Sequence, residues 1–220
     1  MKILYITKYF PPEKGGIETL SKGICDLVNK KKDNYIEVLS FSKTKSFLTK
    51  KYGYKVHHFR SYFNFFSTPI SFRIIYFLFK KISKFDFIHL HVPNPFVGFF
   101  LLFFNYKKIV ISWGSDIINQ KILKTFYYPF QYFLLNKAYK IICLSSEYFK
   151  SSKDLKNFGK KVSIIPPIIK SKEKKKYFNK EKINILMIGR LVDYKRHDLA
   201  IKSLASLPNK FELNIIGDGK

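Results

Sequence analysis

Short apolar runs alternate with segments of helical periodicity along most of the chain. The runs are typical of strands buried in a parallel sheet, and they lie at Ile3–Ile6, Tyr35–Phe41, Lys55–Phe59, Phe87–Val92, Ile109 onward, Ile141–Leu144, Val162–Ile165, Ile185–Ile188 and Phe211–Ile216. Helical spacing is found over Ile17–Val28, the second half of Tyr62–Lys81, Phe126–Ala138, a segment from Ser145 or Ser146 to about Phe158, and the residues after Lys195. The alternation predicts an α/β fold with helices on both faces of a parallel sheet.

Two polar stretches interrupt this pattern. Ser42–Lys51 is predicted to be a loop between strands. Residues 170–182 are dense in lysine, which predicts an exposed linker between a first domain at 1–169 and a second segment at 183–220. A nucleic-acid-binding tail is the alternative, but this stretch lies between two strand–helix segments and not at a terminus.

The run Ile185–Ile188 ends in Gly189 and Arg190, and Lys195 and Arg196 come where the next helix should begin. Unpaired backbone N–H groups and the helix dipole favour an anion at a helix N-terminus, so this pattern is suited to phosphate. A plain strand–helix connection with a solvated basic loop explains the residues equally well.

Similar alternatives apply nearer the N-terminus. Gly15 and Gly16 precede the first predicted helix, either as a backbone cradle for a ligand or as a connecting turn.

His89 and His91 share one face of a strand, where a metal pair is conceivable, but no third ligand is evident and buried structural histidines are favoured. His91 is nearer the carboxyl edge, where ligands of open α/β sheets gather.

Three segments together resemble the family-4 retaining glycosyltransferases, which have the GT-B fold. Gly189-Arg190-Leu191 with Lys195 resembles that family's donor-phosphate motif, Leu213–Gly219 its next strand and glycine turn, and Tyr9–Glu18 its glycine-rich first loop. The resemblance implies an N-terminal Rossmann-like domain plus the beginning of a second one, facing each other across a cleft.

The resemblance also assigns roles to individual residues. Arg190, Lys195 and Gly217 would bind the donor diphosphate, and the cleft loops and acceptor site would take Gly15, Gly16, Glu18, His91, Gly114 and Asp116. Trp113 stands where many members have a histidine beside the reacting sugar, so the catalytic group is unassigned; its ring could stack on a sugar. Asp116 would bind sugar hydroxyls or cap the next helix. Pro166-Pro167 keeps only the proline of the family's Pro-Asn-Gly.

The implied reaction is sugar transfer from a UDP- or GDP-sugar to a glycan or lipid-linked acceptor, in cell-surface polysaccharide or glycolipid synthesis, without a bound cofactor or metal. The family continues well past Lys220, and its paired glutamates would lie there. We therefore expect this chain to be an incomplete form that binds nucleotide-sugar weakly or not at all. The alternative function is a non-catalytic acceptor- or membrane-binding remnant.

The net charge and the aromatic content indicate which kinds of molecule the chain would bind. The formal net charge is +26 and aromatic residues make up 18% of the chain, which favours anionic partners. The segment Tyr62–Lys81 interleaves aromatic and basic residues, and its helix would lie in a membrane interface or pack its aromatics into the core. No nucleic-acid motif is recognisable.

The cysteines, the N-terminus and the length of the apolar runs indicate the cellular compartment of the protein. Cys25 and Cys143 lie in apolar patterns and are predicted to be buried reduced thiols. The start resembles no signal peptide, and the longest apolar run, Phe96–Phe104, is far below the ~20 residues that span a bilayer. The expected location is cytoplasmic, with peripheral contact to the inner face of the plasma membrane left open.

Overall fold

The computed structural model describes residues 1–105, 108–116, 121–168 and 182–219, with the side chains of 121–124 left out. The chain divides into two compact units, Met1–Ile169 and Lys170–Lys220. The first unit contains the predicted sheet and most of the helices. The second contains two strands and one α-helix among its described residues.

The first unit is an α/β layer structure. Its strands are β1 (Lys2–Ile6), β2 (Tyr35–Ser42), β3 (Phe47–Thr49), β4 (Lys55–Arg60), β5 (Phe63–Phe65), β6 (Thr68–Ile70), β7 (Phe87–Val92), β8 (Ile109–Trp113), β9 (Lys140–Cys143) and β10 (Val162–Ile164). Its helices are α1 (Gly16–Asn29), α2 (Phe72–Lys81), α3 (Pro95–Leu101), α4 (Lys121–Lys137) and α5 (Ser146–Ser151), with 3₁₀ turns at Ile82–Lys84 and Lys156–Lys161.

The main sheet has eight strands in the order β10-β9-β8-β7-β1-β2-β4-β3. All neighbours are parallel except β3, which runs antiparallel to β4. The strand order reverses between β1 and β7, because β1 is followed by β2 on one side and the chain later returns to place β7 on the other. Open α/β sheets bind ligands at such a reversal, outside the carboxyl ends of the strands.

Burial on both faces explains why the central strands are mostly apolar, with polar exceptions such as Ser40, His89 and His91 that are themselves buried. Alternate residues of β1 and β2 belong to two different clusters: Leu4, Ile6 and Leu39 pack in one, while Tyr5 and Val38 pack in the other. A strand covered on both sides has no solvent-facing positions to fill with polar residues. The two cysteines are buried free thiols, as predicted.

Three element predictions need correction. The stretch Ser42–Lys51, predicted to be a loop, contains β3, whose short antiparallel pairing protects the sheet edge. The helix predicted to reach Phe158 ends at Ser151, and a 3₁₀ turn over Lys156–Lys161 follows. The hairpin β5–β6 and helix α3 were not predicted, because their runs of phenylalanine have neither a clear period of two nor one of 3.6.

Helix α2 combines the two alternatives left open for the aromatic segment. Ile74, Ile75, Phe77 and Leu78 are buried against the sheet. Phe72, Tyr76 and Phe79 recur at i, i+4 and i+7 on the opposite side and are 58%, 60% and 66% exposed. The apolar stripe and the aromatic stripe are therefore separate faces of one helix.

The second unit pairs β11 (Ile183–Ile188) with β12 (Phe211–Ile216) in parallel, and Ile188 lies opposite Ile216. A 3₁₀ turn at Asp193–Lys195 leads into α6 (His197–Leu204), which packs on β12. Side chains on both strands are largely exposed, including Leu186 at 56% and Ile188 at 70%. The structure thus provides a strand–turn–helix–strand unit whose strands end side by side.

The orientation of α2 can be tested with neighbouring substitutions. Leu78 is fully buried, so Leu78→Ala should lower the free energy of unfolding by about 2–5 kcal/mol through lost packing and a residual cavity. Phe79→Ala removes a larger but mostly exposed side chain and should cost under about 1 kcal/mol. Urea denaturation measures both values, and a larger loss at Phe79 would contradict the assigned orientation.

Candidate functional site

A buried chain of polar side chains lies where the strand order of the first unit reverses. The Tyr5 hydroxyl donates to Ser21 Oγ at 3.2 Å and lies 3.5 Å from His91 Nδ1. Ser21 Oγ is also 3.2 Å from Thr7 Oγ1. These groups come from β1, its following loop, α1 and β7, so the chain ties together the elements that meet at the carboxyl edge of the sheet.

His91 itself is buried at this edge with one ring nitrogen unused. Its Nε2 has no hydrogen-bond partner among the described residues. A Cβ atom added at Gly114 would lie 3.0 Å from that nitrogen and 2.9 Å from the Val92 carbonyl oxygen. Gly114 therefore lets the backbone after β8 pass directly over His91, and the structure brings these two predicted site residues together.

The two histidines of β7 differ in their surroundings. His89 Nε2 lies 2.7 Å from Ser112 Oγ, and its ring packs edge-on against Tyr5. Burial lowers the pKa of His89 to about 3 and that of His91 to about 4, so both rings are neutral near pH 7. Within the described ranges no cluster of three or more His, Cys, Asp or Glu side chains could hold a metal ion.

Asp116 is the centre of a second network on the same edge. Its Oδ1 accepts hydrogen bonds from Trp113 Nε1 at 2.9 Å, the Tyr148 hydroxyl at 2.9 Å and the Ser152 hydroxyl at 2.8 Å. The Asp116 N–H donates to the Tyr148 oxygen at 2.6 Å. The carboxylate thus holds the loop after β8 against α5. Burial, together with the hydrogen bond to Asp116, raises the pKa of the Tyr148 hydroxyl to about 12.

This network corrects the interpretation of Trp113. Trp113 is only 3% exposed and its indole N–H is bound to Asp116, so its ring face is not open for stacking on a sugar. Residues 117–120 lie outside the described residues, so the alternative that Asp116 caps the next helix stays a prediction. Tyr148 and Ser152 were not anticipated, because they lie more than thirty residues away and follow no local pattern.

The first glycine-rich loop leads into α1 as predicted. Gly15 is the residue before the helix and Gly16 is its first residue. The Glu18 carboxylate folds back over Gly15, where an added Cβ would lie 2.1 Å from Glu18 Oε2, and no atom lies within 4 Å of the corresponding position at Gly16. A carboxylate in the first turn of a helix interacts favourably with the helix dipole, so Glu18 is favourably placed at the start of α1.

In the second unit, two glycines let the ends of β11 and β12 touch. A Cβ at Gly217 would lie 1.8 Å from the Gly189 carbonyl oxygen, and the Leu191 N–H donates to the Asp218 carbonyl at 2.9 Å. The Lys195 side chain runs over Gly189, with its Cδ 3.7 Å from an added Cβ. The structure therefore gathers Gly189, Lys195 and Gly217 at one edge.

The cations around this turn are not equivalent. Arg190 donates to the Tyr194 hydroxyl at 2.9 Å, and Lys195 Nζ lies 5.6 Å from the centre of the Tyr194 ring. Within the described part of the chain, neither is in an ion pair. Arg196 instead forms two hydrogen bonds of 3.1 Å with the Asp198 carboxylate. Arg190 and Lys195 are thus the cations left for an external anion.

The exposed aromatic residues do not form a membrane span. Among the described helices, none combines the length and the hydropathy needed to cross a bilayer.

The chain matches the family model described as glycosyl transferase 4-like over residues 23–145. It is 31% identical over 174 residues to the O-antigen chain mannosyltransferase C of Escherichia coli, covering 76% of this chain and 45% of that protein. It is 28% identical over 169 residues to the D-rhamnosyltransferase WbpZ of Pseudomonas aeruginosa, covering 75% and 44%. The chain therefore spans about half the length of the curated relatives that it matches.

Structural similarity agrees with these matches. The HepE protein of Anabaena, solved in complex with UDP and glucose, superposes with a TM-score of 0.67 at 16% identity, over 100% of this chain and 62% of that one. At this identity the likeness shows the fold alone, which is the GT-B fold predicted from the sequence.

The close passage of the backbone over His91 predicts the effect of a methyl group at Gly114. Gly114→Ala should destabilise the protein by about 1–3 kcal/mol, because the new Cβ meets a backbone carbonyl and a buried ring. Gly16→Ala is the matched control, since its Cβ enters open space and alanine favours a helix. Equal effects in thermal unfolding would contradict the described packing.

The lowered histidine pKa values predict acid sensitivity. Between about pH 6.5 and pH 4 the unfolded chain binds protons at His58, His89 and His91 that the folded chain does not bind. The free energy of unfolding should therefore fall as the pH falls through this window. His91→Gln removes one such group and should reduce the slope by up to about 1.4 kcal/mol per pH unit. An unchanged slope in urea titrations at several pH values would refute this assignment.

Proposed function

Because the chain belongs to the glycosyl transferase 4-like family, we propose that it carries the acceptor side and the first part of the donor side of a retaining hexosyltransferase. The reaction transfers a sugar from a UDP- or GDP-sugar to a glycan or lipid-linked acceptor in cell-surface polysaccharide synthesis. The named functions of the two curated relatives, a mannosyltransferase for O-antigen chains and a rhamnosyltransferase, support this class of reaction.

One observation carries the donor side of the proposal. Arg190 and Lys195 lie at the touching carboxyl ends of β11 and β12, on either side of Tyr194, and neither is in an ion pair with a described residue. A diphosphate leaving group gains negative charge as the bond to the anomeric carbon breaks. Two cations fixed at that position stabilise the charge, and such groups commonly contribute a few kcal/mol to the transition state.

The acceptor side is assigned to the carboxyl edge of the first unit. Gly15, Gly16 and Glu18 form the loop after β1, and Gly114 and Asp116 form the loop after β8. Two buried groups at this edge have no described hydrogen-bond partner, the Nε2 of the neutral His91, beneath Gly114, and Asn94 Nδ2, just after β7. We assign Asp116 the role of holding its loop, because its Oδ1 already accepts three hydrogen bonds.

The domain assignment follows from the same division. We assign residues 1–169 to the acceptor-side domain and 183–220 to the part of the donor-binding domain contained in this chain. The basic linker at 170–182 stays a prediction, since all of it but Lys182 lies outside the described residues. The absence of a resident metal is part of the proposal, since the two cations take over the charge neutralisation that a metal ion supplies in other enzymes.

Nuclear magnetic resonance titration with UDP and GDP tests the donor site. We expect weak binding, with a Kd near the millimolar range, about −4 kcal/mol, and shifts confined to residues around Gly189, Lys195 and Gly217. Arg190→Ala and Lys195→Ala should each weaken it about fivefold or more, because each removes a charge-assisted hydrogen bond. The larger of the UDP and GDP responses then identifies the donor class.

Lys202→Ala is the matched control for this titration. It removes the same charge from the last turn of α6, away from the glycine ends of the strands. An equal loss in this variant would show that net charge alone attracts the nucleotide, and shifts located elsewhere would refute the assigned site.

A further inference from the structure

The buried hydrogen-bond chain at the carboxyl edge has a direction, and this direction decides which ring nitrogen of His91 carries a proton. The chain runs through hydroxyl groups, each of which has one proton to donate. Its far end is the Tyr9 carbonyl, to which Thr7 Oγ1 donates at 3.4 Å. Among the described residues no other group donates to this carbonyl. The hydroxyl proton of Thr7 is therefore committed to Tyr9.

The positions of the remaining protons follow from this end of the chain. Because Thr7 donates to Tyr9, its oxygen accepts from Ser21 Oγ, which lies 3.2 Å away. Ser21 in turn accepts from the Tyr5 hydroxyl at 3.2 Å. The Tyr5 oxygen is left to accept, and the ring nitrogen within its reach is His91 Nδ1 at 3.5 Å. Nδ1 therefore carries the single ring proton of the neutral His91.

The other ring nitrogen, His91 Nε2, is consequently a hydrogen-bond acceptor without a proton. A neutral imidazole has one N–H donor and one acceptor nitrogen. The residue is only 3% exposed, and Nε2 has no hydrogen-bond partner among the described residues. A buried acceptor that has lost its water without gaining a donor lowers the stability of the fold. A ligand that supplies a donor at this nitrogen recovers that loss.

The surroundings of His91 Nε2 indicate the chemical class of this donor. The nitrogen lies at the carboxyl edge of the sheet beneath Gly114, where an added Cβ would be 3.0 Å away. Its ring is neutral and presents a lone pair, so an ionised phosphate, which offers only acceptor oxygens, gains nothing there. A sugar hydroxyl is a neutral O–H donor and satisfies the nitrogen without bringing a charge into a buried place.

Building on the proposed transferase function, we propose that His91 Nε2 accepts a hydrogen bond from a hydroxyl group of the acceptor sugar. Tyr5 is then a positioning residue that holds the ring proton on Nδ1. Ser21 and Thr7 act through Tyr5, because they take its proton and leave its oxygen free to accept. The Gly114 backbone covers the nitrogen, so the hydroxyl enters when the loop after β8 moves aside, and no Cβ blocks its path.

Nitrogen-15 NMR of the 220-residue chain, labelled at histidine, tests the first step of this proposal. Protonated and unprotonated ring nitrogens have well-separated chemical shifts, so the spectrum reports the tautomer directly. The signals of His91 are identified by their loss in His91→Gln. Near pH 7 the proton should be on Nδ1, because the Tyr5 oxygen accepts from it. A proton on Nε2 in most molecules would overturn the proposal.

Ser21→Ala tests the positioning chain without changing either ring. The Tyr5 hydroxyl then loses its acceptor and turns its proton toward His91 Nδ1, so the ratio of the Nδ1–H to the Nε2–H form should fall about fivefold or more. Tyr5→Phe removes the acceptor for Nδ1 and should lower the same ratio. Tyr54→Phe is the matched control, because this buried hydroxyl bonds Asp26 and not His91. An unchanged ratio in Ser21→Ala, or an equal change in the control, would contradict the positioning role.

Methyl mannoside, a neutral sugar derivative, is the probe for the ligand. Its titration should shift the His91 Nε2 signal in a saturable manner, because a hydroxyl donates to an unprotonated nitrogen. The response should be lost in Ser21→Ala and kept in Tyr54→Phe, and inorganic phosphate should cause no such shift. An Nε2 signal that ignores the sugar would overturn the proposal and leave a buried water as the partner. No nucleotide is present, so this result and the outcome of the UDP and GDP titration are independent.

Discussion

Backbone contact between the carboxyl ends of neighbouring parallel strands is the constraint on which both candidate sites depend. In the first unit the chain leaving β8 passes the Val92 carbonyl at a distance that excludes a Cβ at Gly114. In the second, Gly217 meets the Gly189 carbonyl even more closely. Parallel strands end together, so the groups that follow them converge without any long-range signal in the sequence. Glycine at these ends keeps the convergence tight enough to form a site.

The polar side chains of the two sites differ in how far they are already bonded within the protein. At the edge of the first unit Tyr5, Ser21 and Thr7 bond one another and Asp116 accepts three donors, while His91 Nε2 has no described partner. Such networks fix loop positions but leave little capacity for a ligand. At the turn of the second unit, Arg190 and Lys195 form no ion pair with a described residue, whereas Arg196 is bonded to Asp198. Taken separately, the hydrogen-bonded frame of the first unit is suited to positioning a ligand, and the unpaired cations of the second are suited to neutralising charge.

The alternation of apolar runs and helical segments was enough to predict the parallel sheet, because strands buried on both faces are mostly apolar. The features that this pattern did not predict depend on contacts between residues far apart in the sequence. Strand β3 forms inside a polar stretch because it pairs with the exposed edge of β4. Trp113 looked available for a sugar, yet its indole N–H is held by Asp116, whose other partners, Tyr148 and Ser152, come from a distant helix. Local patterns predict which residues reach an edge but not which neighbours they find there.

Phe66 shows how a local rule that fails can be informative. A turn with two positive φ angles favours asparagine or glycine, and this hairpin carries phenylalanine and serine instead. The ribbon has only two short strands, so it gains little from its own pairing. Its position is instead supported by Lys8, which reaches the Ser67 carbonyl from the loop after β1. Burial lowers the pKa of Lys8, because its ammonium group is partly desolvated where it contacts the hairpin tip.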